Sequence, residues 1–128
     1  MIVVDTSVWI AFLRDPGWRH SATLVQCLDD DAVLLPVSVR VELLSGVGAQ
    51  SVAVLRRTLG ALPLLTPSAD TWALVEEWAL RGAAAGQRFG VGDLLVGACA
   101  SERGAAVWSL DADFERMARL RLIKRFKS

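Results

Sequence analysis

The chain has 128 residues, a length that suits one domain (residues 1–128) with a core of its own, so no second domain is expected. Its 14 basic and 14 acidic side chains give a net charge of +0, which excludes a molecule that is basic all over, and 53% hydrophobic with 22% charged residues excludes disorder. The mean hydropathy of +0.40 is high, yet no apolar run nears the roughly 20 residues that cross a bilayer. The excess points to a buried parallel sheet and to an apolar surface that a partner covers.

The first apolar run, Met1 to Val4, reads as a buried strand that ends in Asp5, with Thr6 and Ser7 opening a helix over residues 6 to 14. No basic segment or long apolar core precedes it, so a cytoplasmic protein is expected. Asp15-Pro16-Gly17 is turn chemistry, and a second helix is expected from Trp18 to Leu28 with Ala22, Val25 and Leu28 inward. The triplet Asp29 to Asp31 belongs in an exposed loop, since three consecutive side chains do not converge on one ion without a dedicated loop.

Ala32 to Leu35 forms a second strand closed by Pro36, and Val37 to Leu44 a helix that carries Glu42 and stops at Ser45-Gly46. Ser51 to Leu59 is helical, and Leu62 to Leu65 is a third strand whose Pro63 requires an edge. The longest helix covers residues 68 to 85, with Trp72, Val75 and Ala79 on its inward stripe. A glycine-rich loop, Gly86 to Gly92, matches no phosphate-loop signature and delivers Asp93 to the first turn of a helix over Leu94 to Ser101. Gly90 and Gly92 are expected to leave this loop mobile until a ligand binds.

Ala105 to Leu110 is a fourth strand whose exit, SLDADF, supplies Ser109, Asp111 and Asp113. A short helix over 112 to 119 and a fifth strand over Leu122 to Phe126 complete an α/β alternation, which predicts a mostly parallel sheet with helices on both faces. Cys27 and Cys99 are too few for a disulfide framework or a zinc set and read as buried thiols. Arg116, Arg119, Arg121, Lys124, Arg125 and Lys127 follow one another with no acid between them, which reads first as a solvated face and second as phosphate contact.

In right-handed β-α-β units strands end, and helices begin, at one rim of the sheet. Asp5 and Asp111 follow strands, Asp93 opens a helix and Glu42 lies within two turns of a helix start, so the four carboxylates belong to one edge. By itself Asp5 reads equally well as a helix cap. Gathered carboxylates repel unless a cation neutralises them, and hard oxygen donors without clustered His or Cys select Mg²⁺ or Mn²⁺. With such an ion the natural chemistry is phosphodiester hydrolysis by a metal-activated water. The sole histidine, His20, is expected to be exposed near a helix start, which leaves no Ser-His-Asp triad.

VVDTSVWI, VRVELLSG around Glu42, GVGDLLVGACA around Asp93 and VWSLDADF with the basic segment behind it, in that order over nearly the whole chain, resemble the PIN-domain ribonucleases and, within them, the VapC-type toxins. The resemblance implies a three-layer α/β/α sandwich with a five-stranded parallel sheet ordered 3-2-1-4-5. It implies Asp5 and Asp93 as metal ligands, with Glu42 and Asp111 completing the set, Asp113 at a more variable acidic position, and Thr6 and Ser109 orienting ligands and water. It also implies Mg²⁺-dependent endonucleolytic cleavage of RNA, homodimerisation and inhibition by a cognate antitoxin. Lys124, Arg125 and Lys127 are the candidate RNA contacts. Two other readings are a receiver-type phosphoacceptor domain, which needs an acid after the third strand where the chain has Leu64-Leu65-Thr66-Pro67, and a non-catalytic binding module on the same fold.

Overall fold

The structure, a computed structural model, describes residues 1–127. Three consecutive β-branched residues with no polar atom in their side chains form β1 (Ile2–Val4), which is buried throughout. It lies inside a parallel sheet with β2 (Val33–Pro36), β3 (Leu64–Leu65) and β4 (Ala106–Trp108), in the order β3-β2-β1-β4. The register pairs Val3 with Leu34 on one side and with Val107 on the other, so the two interior strands are covered apolar runs. Among the described residues seven helices accompany these strands: α1 (Thr6–Arg14), α2 (Ser21–Asp29), α3 (Val37–Gly46), α4 (Val52–Gly60), α5 (Ala69–Ala84), α6 (Val91–Glu102) and α7 (Ala112–Arg119).

The α/β architecture and the order of the first four strands are those read from the sequence, but the fifth strand is not formed. Residues 122 to 126 do reach the free edge of β4, where Val107 donates to the Lys124 carbonyl (2.8 Å) and Phe126 donates to the Val107 carbonyl (2.8 Å). That is one isolated bridge, Val107 to Arg125. The reason lies in how α7 ends. Arg121 takes a left-handed φ of 61°, and the Leu122 N–H still bonds back to Met117 (3.1 Å), so the backbone is turning where the strand was expected to begin. Leu122 and Ile123 are then buried side by side, where a strand sends neighbours to opposite faces.

Two helices differ in phase from the sequence reading. Asp15 organises a turn, its carboxylate accepting from Gly17 N–H (2.9 Å) and its carbonyl from Trp18 N–H (3.0 Å), so α2 starts at Ser21 and buries Leu24 while Ala22 and Val25 face outward. In α5 the Ser68–Thr71 capping box fixes the start, and the buried stripe is Thr71, Val75, Trp78 and Gly82, which leaves Trp72 48% exposed.

Helix α6 is buried from Leu94 to Ala100 and packs between α5 and α7. Gly97 allows this, because a β-carbon there would stand 2.7 Å from the Met117 methyl and 3.2 Å from the Trp78 ring. One hydrophobic cluster runs from Ile2 to Ile123. The chain winds from β1 outward to β3 and then returns to place β4 on the other side of β1. The point where the order reverses therefore lies between β1 and β4.

Candidate active site

Val4 pairs with Trp108 across the reversal point, so the residues that follow them, Asp5 and Ser109, are neighbours at the carboxyl edge. The Asp5 N–H donates to the Trp108 carbonyl (2.9 Å), which ties the two strand exits together. Asp5 is buried, and one of its oxygens, Oδ2, accepts from Ser7 Oγ (2.8 Å), Ser109 Oγ (2.7 Å) and more distantly Ser7 N–H (3.4 Å). It is the N-cap of α1 and part of the rim, so the two readings of Asp5 are compatible.

The same hydroxyls reach onward. Ser7 Oγ accepts from Leu110 N–H (3.0 Å) and Ser109 Oγ from Asp111 N–H (3.0 Å), which fixes the turn from β4 into α7. Of the two hydroxyl residues singled out beforehand, Ser109 thus braces Asp5. Thr6 does not, because its Oγ1 is buried without a hydrogen-bond partner. Ser7 takes that role, and the signal was present in the sequence: an N-cap aspartate accepts from the residue two places on.

Asp111 is the N-cap of α7 and accepts from Asp113 N–H (2.9 Å), and Asp93 lies in the first turn of α6. Asp93, Asp111 and Asp113 each offer a carboxylate oxygen within 4.8 Å of the other two. Three helix N-termini, those of α1, α6 and α7, face this edge and favour negative charge. They do not offset the crowding. Burial first, then the Asp111 charge, the hydrogen bond shared with Asp113 and the Asp5 charge push the Asp93 carboxyl up to about 7. A hydrogen bond from Arg116 holds the Asp113 carboxyl below the usual carboxylate range.

Glu42 is exposed on α3 and stands outside this trio; it borders a groove of about 590 Å³ between α1, α3 and α4, with Trp9, Leu13 and Val54 among the other walls. Arg125 is nearer the acids. It lines a cavity of about 240 Å³ together with Ser109, Asp111 and Glu115, and pairs with the Glu115 carboxylate at 3.2 Å. Lys124 and Lys127 are exposed. His20 is half-buried, edge-on to Trp18 with 5.2 Å between ring centres. The two cysteines are free, and burial with Glu102 nearby pushes the Cys99 thiol up to about 11, so it is an inert core group.

The first half of the glycine-rich loop before α6 makes several contacts, at Gln87 and Phe89. Gln87 N–H bonds Gly82 (2.8 Å), the Phe89 ring lies where a β-carbon on Gly82 would stand 3.1 Å away, and the Arg116 guanidinium lies over that ring, 4.7 Å from its centre.

A donor set of clustered carboxylates suits a hard divalent cation, whose ligand oxygens at about 2.1 Å from the ion lie about 3–4 Å apart. An α/β fold with such a set at its reversal point defines a class of acid-lined hydrolytic and binding folds. The profile of the PIN domain matches residues 2–120, and the chain belongs to the PIN domain family. It is 27% identical over 125 residues to Ribonuclease VapC11 of Mycobacterium tuberculosis, covering 94% of this chain and 93% of the relative. Among solved structures it resembles DNA-bound VapBC from Salmonella typhimurium (TM-score 0.80, 17% identity, 98% of this chain and 96% of the other). It also resembles VapBC-5 of Mycobacterium tuberculosis, a member of the VapBC family of toxin–antitoxin systems (TM-score 0.67, 23% identity, 98% and 97% coverage).

Proposed function

We propose that this protein is a metal-dependent endoribonuclease of the VapC toxin type, folded as one domain and neutralised by a cognate antitoxin. The observation that carries the reading is the convergence of Asp93, Asp111 and Asp113 beside Asp5, with the Asp93 proton held to about neutral pH. Asp93, Asp111 and Asp5 are the proposed cation ligands, with Asp113 beside them and Glu42 reaching the site from α3 through water. Mg²⁺ is the proposed ion and Mn²⁺ its substitute. When bound, it supplies Lewis-acid polarisation of a phosphate and a more acidic water.

The chain's own residues do the rest. Ser7 and Ser109 leave Asp5 Oδ1 as the oxygen free to turn towards the cleft, because the hydrogen bonds they donate to Asp5 fall on Oδ2. Asp93, once its proton has left, would be one of the carboxylates that hold the ion. Arg125, beside Asp111, meets the neighbouring phosphate of the RNA, with Lys124 and Lys127 extending that contact. The groove between α1, α3 and α4 suits an apolar antitoxin segment, since Leu13 and Val54 are exposed along it. Pairing of two such chains as a homodimer belongs to the same reading.

Incubation of the purified protein with RNA is expected to give internal cuts in Mg²⁺ or Mn²⁺ and none in EDTA. Full cleavage in EDTA rejects the reading.

A further inference from the structure

Arg116 is the side chain that joins the acid cluster to the loop leading into α6. It projects from α7, and its guanidinium has four partners. One nitrogen, Nη2, donates to Asp113 Oδ1 (2.6 Å) and to the Arg88 carbonyl (3.2 Å), the other, Nη1, donates to the Gln87 side-chain oxygen, and the carbon between them sits 4.7 Å from the centre of the Phe89 ring. Gln87, Arg88 and Phe89 precede the turn that carries Asp93 by only a few residues, and Phe89 is itself seated on Gly82 of α5. One planar fork therefore spans α7, the loop and the face of an aromatic ring, a geometry that a lysine ammonium does not reproduce.

A half-exposed ion pair of the Arg116–Asp113 kind adds little stability by itself. Its consequence is geometric. Asp113 stands on the first turn of α7, and without a partner its carboxylate would rotate freely towards water. With Arg116 in place, Asp113 Oδ1 and the Gln87–Arg88 segment of the loop before α6 are tied to the same rigid group.

We propose that Arg116 is the positioning residue of the acid cluster: through the loop that leads into α6 it fixes the spacing between Asp93, on the first turn of α6, and Asp113, and so the fit of the cluster to a divalent cation. The proposal rests on the cation reading given above. Its sign is informative, because the positive charge of Arg116 opposes a nearby cation while its geometry favours one.

The test is calorimetric titration of Mn²⁺ into the purified full chain, with thermal unfolding of each variant recorded alongside. Arg116→Lys keeps the charge and loses the fork, and is expected to weaken Mn²⁺ binding by about tenfold or more, as for other groups that orient a ligand. Gln87→Ala, which alters no charge, is expected to give a smaller loss in the same direction. In an Asp113→Asn background the Arg116→Lys penalty is expected to shrink to less than about twofold, the non-additivity of residues acting through one another. An Arg116→Lys protein that binds as wild type does, an Arg116→Met protein that binds more tightly, or a penalty undiminished in Asp113→Asn each overturns the proposal while leaving the cation reading intact. A wild-type chain that takes up no Mn²⁺ overturns both.

Discussion

Asp5, on the β1 side of the rim, is braced by neutral donors, whereas on the α6–α7 side Asp93 is set against the Asp111 and Asp113 carboxylates. Two serine hydroxyls at 2.7 and 2.8 Å hold Asp5 in place whatever else is bound. On the other side Asp113 is held by Arg116 and Asp111 by the Asp113 N–H, whereas Asp93 has acidic neighbours; its carboxyl reaches about 7 because burial and those neighbours disfavour its charge. A carboxylate held by hydroxyls is preformed. A carboxylate set against others needs a proton or a cation, so this half of the site changes state when either one leaves.

The strongest way to break the contrast is to neutralise the conditional half. Asp93→Asn is expected to lower RNA cleavage by more than about a hundredfold, beyond the loss from a residue that only supports a ligand. It is expected also to stabilise the cation-free protein at pH 8 by a few degrees in Tm, since it removes a half-buried charge set among other acids. In the wild type the Asp93 carboxyl stands at about 7 when folded and near 3.9 when unfolded, so the folded state binds the proton more tightly. That contribution to stability is complete below pH 4 and is lost as pH rises through 7. Asp113, held low by Arg116, acts in the opposite sense but only below the ordinary carboxylate range. Thermal unfolding of the cation-free protein from pH 5 to 8 is therefore expected to show a falling Tm that Asp93→Asn flattens. By the same linkage, Mn²⁺ binding is expected to release a proton and to tighten as pH rises through 7.

Breaking the preformed half acts through geometry. Ser109→Ala removes a donor to Asp5 and the acceptor for Asp111 N–H in a buried place, and is expected to cost about 1–3 kcal/mol of stability. Cation affinity is expected to fall with it by about tenfold, read in the same titration. Ser7→Ala leaves Ser109 on Asp5 and is expected to do less on both counts. If the two serines prove equal, the link from Ser109 to Asp111 carries no more weight than that from Ser7 to Leu110.

The carboxyl edge was legible because strand exits and helix starts are marked by residue type: apolar runs give way to Asp5 and to SLDADF, and glycines precede Asp93. What was hidden needed contacts distant along the chain. The buried stripe of α5 is shifted by one residue because Thr71, a polar residue, is drawn inward by Glu102 on α6, 2.6 Å away. Hydrophobic periodicity alone favours Trp72 there. The fifth strand failed for a local reason, the capping of α7 by the very residues assigned to it. Arg116 read as one charge in a basic run, and only packing of the loop on α7 separates it from Arg119 and Arg121.

The smallest effect concerns Lys124, Arg125 and Lys127, of which Arg125 lines the cavity beside Asp111 and Lys124 lines one beside Gly104 and Ala105, at the other end of β4. Each phosphate contact on a single strand contributes about 0.7 to the slope of log affinity against log salt, so replacing all three by Ala is expected to lower the slope by up to about 2. The measurement uses an Asp93→Asn background so that RNA is bound and not cut. Arg125 differs from the two lysines in having a partner, Glu115, at 3.2 Å beside Asp111. RNA must compete with that carboxylate for the guanidinium. Glu115→Gln therefore releases Arg125 and is expected to tighten binding, but an exposed pair of this kind contributes at most about 1 kcal/mol, which limits the gain to about fivefold. Tighter binding with the slope raised places Arg125 on the RNA; tighter binding with the slope unchanged means that removal of an acid, and not release of the arginine, is what the RNA responds to.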